Sequence, residues 1–172
     1  PAWTIRRNPP KGSSWRGRTE RRAPAPPPRA ARPMPLPALP PLRTARLTVR
    51  PLADADLGDL MAVNGDPEVT RFLPYATWTT PADVQAWATR MGALEVAGGT
   101  RQLVVALDEA GPVIGTVLLF KHDEGSRRVE LGYTLARAHW GRGLAREALA
   151  AVLTPAFGPL GLRRVDAEVD PD

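Results

Sequence analysis

The stretch that most constrains this chain is Val129–Leu149, V-E-L-G-Y-T-L-A-R-A-H-W-G-R-G-L-A-R-E-A-L, which sets a strand, a glycine-bearing loop and a helix in direct succession. Val129–Leu135 is apolar, β-branched and aromatic with no helical stripe, so it reads as a strand. The loop is Ala138–Ala145, with Gly141 and Gly143 one residue apart. Ala145, Ala148, Leu149, Val152 and Leu153 then follow the i, i+3, i+4, i+7, i+8 spacing of one helix face. Glycines before a helix let successive backbone N–H groups turn into one concavity, because no Cβ restricts them. The first helical turn adds unpaired N–H donors and the positive end of the macrodipole. Together they suit a phosphate or pyrophosphate, with Arg142 and Arg146 to add charge. Gly-x-Gly alone is most often a turn, and this one is neither common nucleotide loop. The dinucleotide fingerprint needs a small residue where Arg146 stands, and the P-loop needs Gly-Lys-Ser/Thr.

The residues around this stretch predict a small α/β sandwich. Thr44–Arg50 alternates as a first strand, and Asp54 is placed to cap a helix facing inward with Leu57, Leu60 and Met61, stopped by Asn64-Gly65. Thr80-Pro81-Ala82-Asp83 is a helix start, with Val84, Trp87, Ala88 and Met91 on one face. Gln102–Leu107 and Val113–Phe120 read as strands joined by D-E-A-G-P, and Arg163–Val169 as a last strand. Pro155 is expected to break or kink the helix interior, at about 3 kcal/mol or more. The order β-α-α-β-β-β-α-β predicts a mixed sheet flanked by helices, an α/β or α+β sandwich.

Charge and proline divide the chain near Leu42. Residues 1–42 hold 12 of the 20 prolines and carry a net charge of +8, whereas residues 43–172 carry −3. Runs such as A-P-A-P-P-P-R have no apolar period, so 1–42 is expected to be a disordered Pro/Arg-rich extension, with 43–172 as the folded domain. Met34 is an alternative start. A basic arm for nucleic acid is the sharper reading of the tail, and nucleic acid is otherwise not an expected partner. No apolar run is long enough to span a membrane and no signal-peptide core is seen, which makes a cytoplasmic protein the expectation. With no cysteine, disulfides and thiolate nucleophiles are excluded. The two histidines, His122 and His139, have no partner spacing for a hydrolase triad or a metal site, so no metal is expected.

E-L-G-Y followed by W-G-R-G-L-A-R-E-A-L resembles the acetyl-CoA-binding core of the GNAT superfamily of N-acetyltransferases, and more narrowly its RimJ/RimL-type branch, over roughly Leu42–Asp172. The family loop, Gln/Arg-x-x-Gly-x-Gly/Ala, aligns with Trp140–Ala145: Gly143 and Ala145 match, and Trp140 replaces the Gln/Arg. The resemblance implies acetyl-CoA as co-substrate and an amine acceptor, a protein N-terminus or a small molecule. It puts Tyr133, Thr134 and Leu135 beside the pantetheine, in a gap between two splayed strands. It puts Trp140, Gly141, Arg142, Gly143, Leu144, Ala145 and Arg146 at the pyrophosphate. Asp66–Leu73 resembles the segment preceding the acceptor pocket. Catalysis by this route is mostly positioning, helped by a base for the incoming ammonium. Glu130, at the E-L-G-Y position, is the candidate base, set against the plainer reading of a solvated strand carboxylate. Trp78 and Trp87 could line an acceptor site but read first as core, and Glu147 as a dipole-compensating helix residue.

The family continues with an Asn, a helix and a final strand pair, so the expectation is a C-terminally truncated copy that lacks the last strands. Two other readings stay open. One is a non-catalytic acyl-CoA-binding remnant or interaction module, and the other is a nucleic-acid-associated protein working through its tail. The acceptor and the oligomeric state are not fixed by the sequence.

Overall fold

The computed structural model describes residues 35–168. The elements run β1 (Leu42–Arg43), β2 (Leu47–Pro51), α1 (Leu57–Asn64), α2 (Pro67–Thr70), α3 (Pro81–Val96), β3 (Arg101–Leu107), β4 (Val113–Asp123), β5 (Arg128–Leu135), α4 (Leu144–Phe157) and β6 (Arg164–Asp166). Short 3-10 turns at Asp54–Asp56 and Arg137–His139 lead into α1 and into the glycine loop. One six-stranded sheet holds the strands in chain order. Every neighbouring pair is antiparallel except β5 and β6, which are parallel. The expected mixed sheet between helices is the observed fold.

Strand alternation gives the sheet two apolar faces. Leu47, Val49, Leu103, Val105, Val117, Leu119, Val129 and Leu131 pack with Leu144, Ala148, Val152 and Ala156 of α4. Val104, Ala106 and Val113 face the other way, against Leu57 and Leu60 of α1 and Val84, Trp87 and Met91 of α3. A register shift between Val105 and Ala106 lets Ile114 join the α4 face while Val113 stays on the other. At Gly115 an added Cβ would lie 2.2 Å from the Thr134 carbonyl, so the bulged strands meet there only because the residue is glycine.

Several local expectations are corrected. Leu36 and Leu39 are 1% and 4% exposed within the α4-side core, so packing begins upstream of the expected boundary at residue 43. The Leu36 amide donates to the Gly98 carbonyl at 2.8 Å, and Arg101 holds the Leu36 carbonyl. The expected disorder of the tail concerns residues that, up to 34, lie outside those described. The helix start assigned to Asp54 belongs to Asp56, whose carboxylate reaches back to the Ala53 amide at 2.8 Å and pairs with Arg50 at 2.7 Å. Pro155 does not break α4, which runs on to Phe157. It sits in the last turn, where its missing N–H deprives only one carbonyl, and the chain closes behind it through Gly158 N–H to Thr154 O at 3.0 Å. The last strand is shorter than expected, Arg164–Asp166, and the expectation of missing final strands concerns chain beyond the described residues.

Candidate active site

Two features converge where β5 leaves the sheet. The first is the edge of β5 beyond its parallel pairing with β6. Among the described residues β6 pairs with β5 at Arg128, Val129 and Glu130, while β5 continues along β4 to Leu135. The Arg127 carbonyl faces β6, accepting from Arg163 N–H at 2.8 Å, and the Ala136 amide faces β4, donating to Ile114 O at 2.7 Å. Backbone groups alternate along a strand. The N–H and C=O of Tyr133, and the N–H of Leu135, therefore face the β6 side, beyond the last described β5–β6 pair. The Leu135 carbonyl on that edge accepts from the Trp140 indole N–H at 2.7 Å.

The second feature is the start of α4. Gly141 and Gly143 have φ of +69° and +75°, left-handed conformations that glycine adopts without a Cβ penalty. Gly143 is the N-cap, and no side chain caps the helix, so the first-turn amides of Leu144, Ala145 and Arg146 are not used by a side-chain cap. Leu144 itself is a core residue at 2% exposure, which leaves its amide as the group it can offer a ligand. Gly141, Arg142, Gly143 and Arg146 are exposed. A tight apolar crevice between β5 and α4, too narrow for a water, is lined by Val117, Tyr133, Leu135, Ala145, Ala148 and Leu149 among others. Tyr133 and Trp140 stand half exposed at 47% each.

Thr44 and Arg46, which sequence reasoning did not single out, brace this turn. Glu147 accepts from Thr44 Oγ1 at 2.6 Å, Arg46 N–H at 3.1 Å and Arg46 Nε at 2.7 Å. Arg46 Nη1 donates to the Arg142 carbonyl at 3.1 Å. The hydrogen bond from Thr44, then those from Arg46, hold the Glu147 carboxyl below the usual glutamate range against the cost of desolvation. Glu147 is thus a tether to the β1–β2 turn as well as a charge in the first helical turn. The T-A-R between β1 and β2, read from the sequence as part of a first strand, gave no pattern that could have revealed this, because its partner lies about a hundred residues away (Thr44 to Glu147 is 103).

Glu130 lies on the opposite face of β5, the one turned to α1 and α3, in register with Phe120 of β4 and Asp166 of β6. Its side chain is 22% exposed, and Oε2 accepts from Lys121 Nζ at 2.7 Å. Thr134 also turns to that face, its hydroxyl 2.9 Å from that of Thr116, so only its backbone borders the crevice. On the same side a cavity of about 340 Å³ lies between α1 and the residues after β5, lined by Ala62, Val63, Asp66, Ala136, Arg137 and Ala138. Asp66 and Arg137 pair across it at 2.9 Å. Trp78 and Trp87 are core residues, 6% and 7% exposed with ring centroids 5.5 Å apart, and do not line that cavity. His139 is a loop residue whose ring Nδ1 lies 3.4 Å from Arg142 Nη1.

A strand edge without a partner strand among the described residues, beside an uncapped, glycine-opened helix start, suits an extended ligand with an anionic end. Comparison with known proteins gives this fold its family. The GNAT acetyltransferase domain model matches residues 46–172. The N-acetyltransferase p20 of Bacillus licheniformis is 32% identical over 131 residues, 76% of this chain and 74% of that protein. An acetyltransferase from Agrobacterium tumefaciens superposes with a TM-score of 0.63 at 31% identity, covering 78% of this chain and 77% of the other. RimJ of Mycobacterium smegmatis, solved in complex with CoA-disulfide, shares the fold with a TM-score of 0.62 at 24% identity, over 77% of this chain and 68% of that one. This chain belongs to the GNAT family of N-acetyltransferases. It is therefore an acyltransferase, of a family that moves the acetyl group of acetyl-CoA to an amine.

Proposed function

We propose that this protein acetylates a primary amine, on a protein N-terminus or a small molecule, with acetyl-CoA held between β5 and α4. The observation that carries the reading is the left-handed Gly143 opening α4 beside the edge of β5 that no strand covers among the described residues. The fit is chemical: a pantetheine carries amides that pair with an open strand edge, and a pyrophosphate takes backbone N–H groups at a helix start. The Tyr133 N–H and C=O and the Leu135 N–H would hold the amide arm, with the Tyr133 ring and Leu135 side chain beside it. The amides of Gly143, Leu144, Ala145 and Arg146 would hold the pyrophosphate, with Gly141 giving the turn and Arg142 and Arg146 supplying charge. Trp140 pins the loop to the end of β5 through the Leu135 carbonyl. The RimJ neighbour's complex with CoA-disulfide supports a coenzyme of this kind.

Acetyl-CoA supplies an activated acyl carbonyl when bound. What the chain adds is positioning and proton handling. An amine entering from the α1/α3 face meets the carboxylate of Glu130, whose Oε1 is not the oxygen paired with Lys121. Glu130 would take the proton that the ammonium must lose, directly or through a water.

The test has two stages on the full chain. Calorimetry with CoA is expected to show binding, and release of free thiol is then followed over a panel of primary amines. Glu130→Gln should lower turnover by about a hundredfold or more while leaving CoA affinity intact. Equal rates for Glu130→Gln at every pH would remove Glu130 from the mechanism. Absence of CoA binding by the parent chain would overturn the coenzyme assignment.

A further inference from the structure

We infer that Arg46 is a positioning residue for the pyrophosphate loop, one that acts through Glu147 and the Arg142 carbonyl. The inference rests on the reading that this loop holds the coenzyme's pyrophosphate. The Trp140 indole on the Leu135 carbonyl pins the loop at its entry and Leu144 in the core pins it at its exit, but between them its two glycines occupy left-handed conformations and the helix start has no side-chain cap. Glycine reaches those conformations freely in the unbound chain too, so the loop must be ordered by something outside it.

The guanidinium of Arg46 supplies that order from both ends. Its Nε and Nη2 grip the Glu147 carboxylate at 2.7 and 2.6 Å, fixing the first turn of α4 against the β1–β2 turn. Its Nη1 reaches the Arg142 carbonyl at 3.1 Å, fixing the peptide between the two glycines. The Arg46 amide and the Thr44 hydroxyl complete the set on Glu147 Oε1, so the carboxylate has no rotational freedom to spare. Drawing the Arg142 carbonyl toward Arg46 engages that acceptor at the loop, where a carbonyl turned toward a phosphate would repel it. Only a planar, multi-donor head can serve both partners at once, which an ammonium on a flexible stem cannot do. With Arg46 half exposed and the network joining two distant chain segments, the β1–β2 turn and the loop leading into α4, the device is electrostatic wiring of a loop, separate from the apolar packing that holds α4 to the sheet.

The experiment compares the parent chain with Arg46→Ala and Arg46→Lys by calorimetry with CoA and by hydrogen exchange of the free proteins. The expected result is a loss of CoA affinity of about tenfold or more in both variants. Faster exchange of the Glu147 amide, which donates to the Gly143 carbonyl at 3.1 Å, should accompany it, with core amides of β3 and β4 unchanged. CoA binding by the parent chain together with undiminished binding by Arg46→Ala would overturn the inference and leave the coenzyme reading standing. Full affinity in Arg46→Lys would also overturn it, since charge alone would then suffice. Failure of the parent to bind CoA would overturn the coenzyme reading, and this inference with it. Should Arg46→Ala fail to fold, Arg46→Lys, which keeps the charge and the stem, decides by the same two readouts.

Discussion

The two sides of β5 are built from different materials. Toward α4, the proposed coenzyme side offers backbone: the edge groups of Tyr133 and Leu135 and the uncapped amides that follow Gly143. Toward α1 and α3, the proposed acceptor side offers side chains: Glu130 with Lys121, the Asp66–Arg137 pair, and Tyr75 donating to Asn64 Oδ1 at 3.0 Å. Behind them Trp78 and Trp87 fill the gap between α3 and the sheet. A backbone-built site accepts the same ligand whatever side chains surround it, provided its glycines and helix start are kept. A side-chain-built site changes its ligand whenever its lining changes. Within one protein, the half that carries a common co-substrate and the half that chooses an acceptor are therefore free to vary separately.

That contrast can be tested by damaging each half in turn. The largest stability effect should come from the side-chain half. Trp87→Ala removes a buried indole and is expected to cost about 3–5 kcal/mol in chemical denaturation. CoA affinity of the remaining folded protein should be nearly unchanged, and a matching collapse of CoA binding would erase the distinction. Gly143→Val should do the reverse. Its Cβ would meet little, the nearest atom being Arg46 Nη2 at 3.8 Å, but a β-branched residue is strained at φ +75°. The expected outcome is about a hundredfold weaker CoA binding by calorimetry, with a stability loss of only ~1–2 kcal/mol.

Asp56→Asn probes the buried charge at the start of α1. The hydrogen bond from Arg50 holds the Asp56 carboxyl below its usual range, against desolvation and with help from the Ala53 amide. Its folded value is depressed, so its stabilisation is fully present above the ordinary carboxylate range. It is lost as pH falls through the depressed value. Asp56→Asn should therefore lower stability by about 2 kcal/mol near neutrality and flatten the acid limb of a stability-against-pH curve. The smallest effect expected is that of Tyr75→Phe. Burial pushes the Tyr75 phenol up to about 12, with the charge of Arg90 partly offsetting it, so the hydroxyl stays protonated and donates to Asn64. Its removal should cost about 1 kcal/mol by thermal unfolding and leave CoA binding untouched.

The sequence alone determined the elements whose causes are local. The apolar alternation of Val129–Leu135, the glycine pair and the helix stripe after it placed β5, the loop and α4 to within a residue or two. The Thr80-Pro81 start of α3 was equally plain, because Asp83 reaches back to the amides of Thr79 and Thr80 at 2.8 Å within the same turn. What the sequence could not show was decided by contacts between distant segments. Leu36 and Leu39 look like part of a proline-rich tail until the sheet face that buries them exists. Pro155 looks like a helix breaker until the chain around Gly158 closes behind it. Arg46 looks like an ordinary strand-edge cation until α4 brings Glu147 and the Arg142 carbonyl to it. Local patterns are written by backbone geometry and therefore recur in any fold. A hydrogen bond across a hundred residues exists only once tertiary packing has fixed both of its ends.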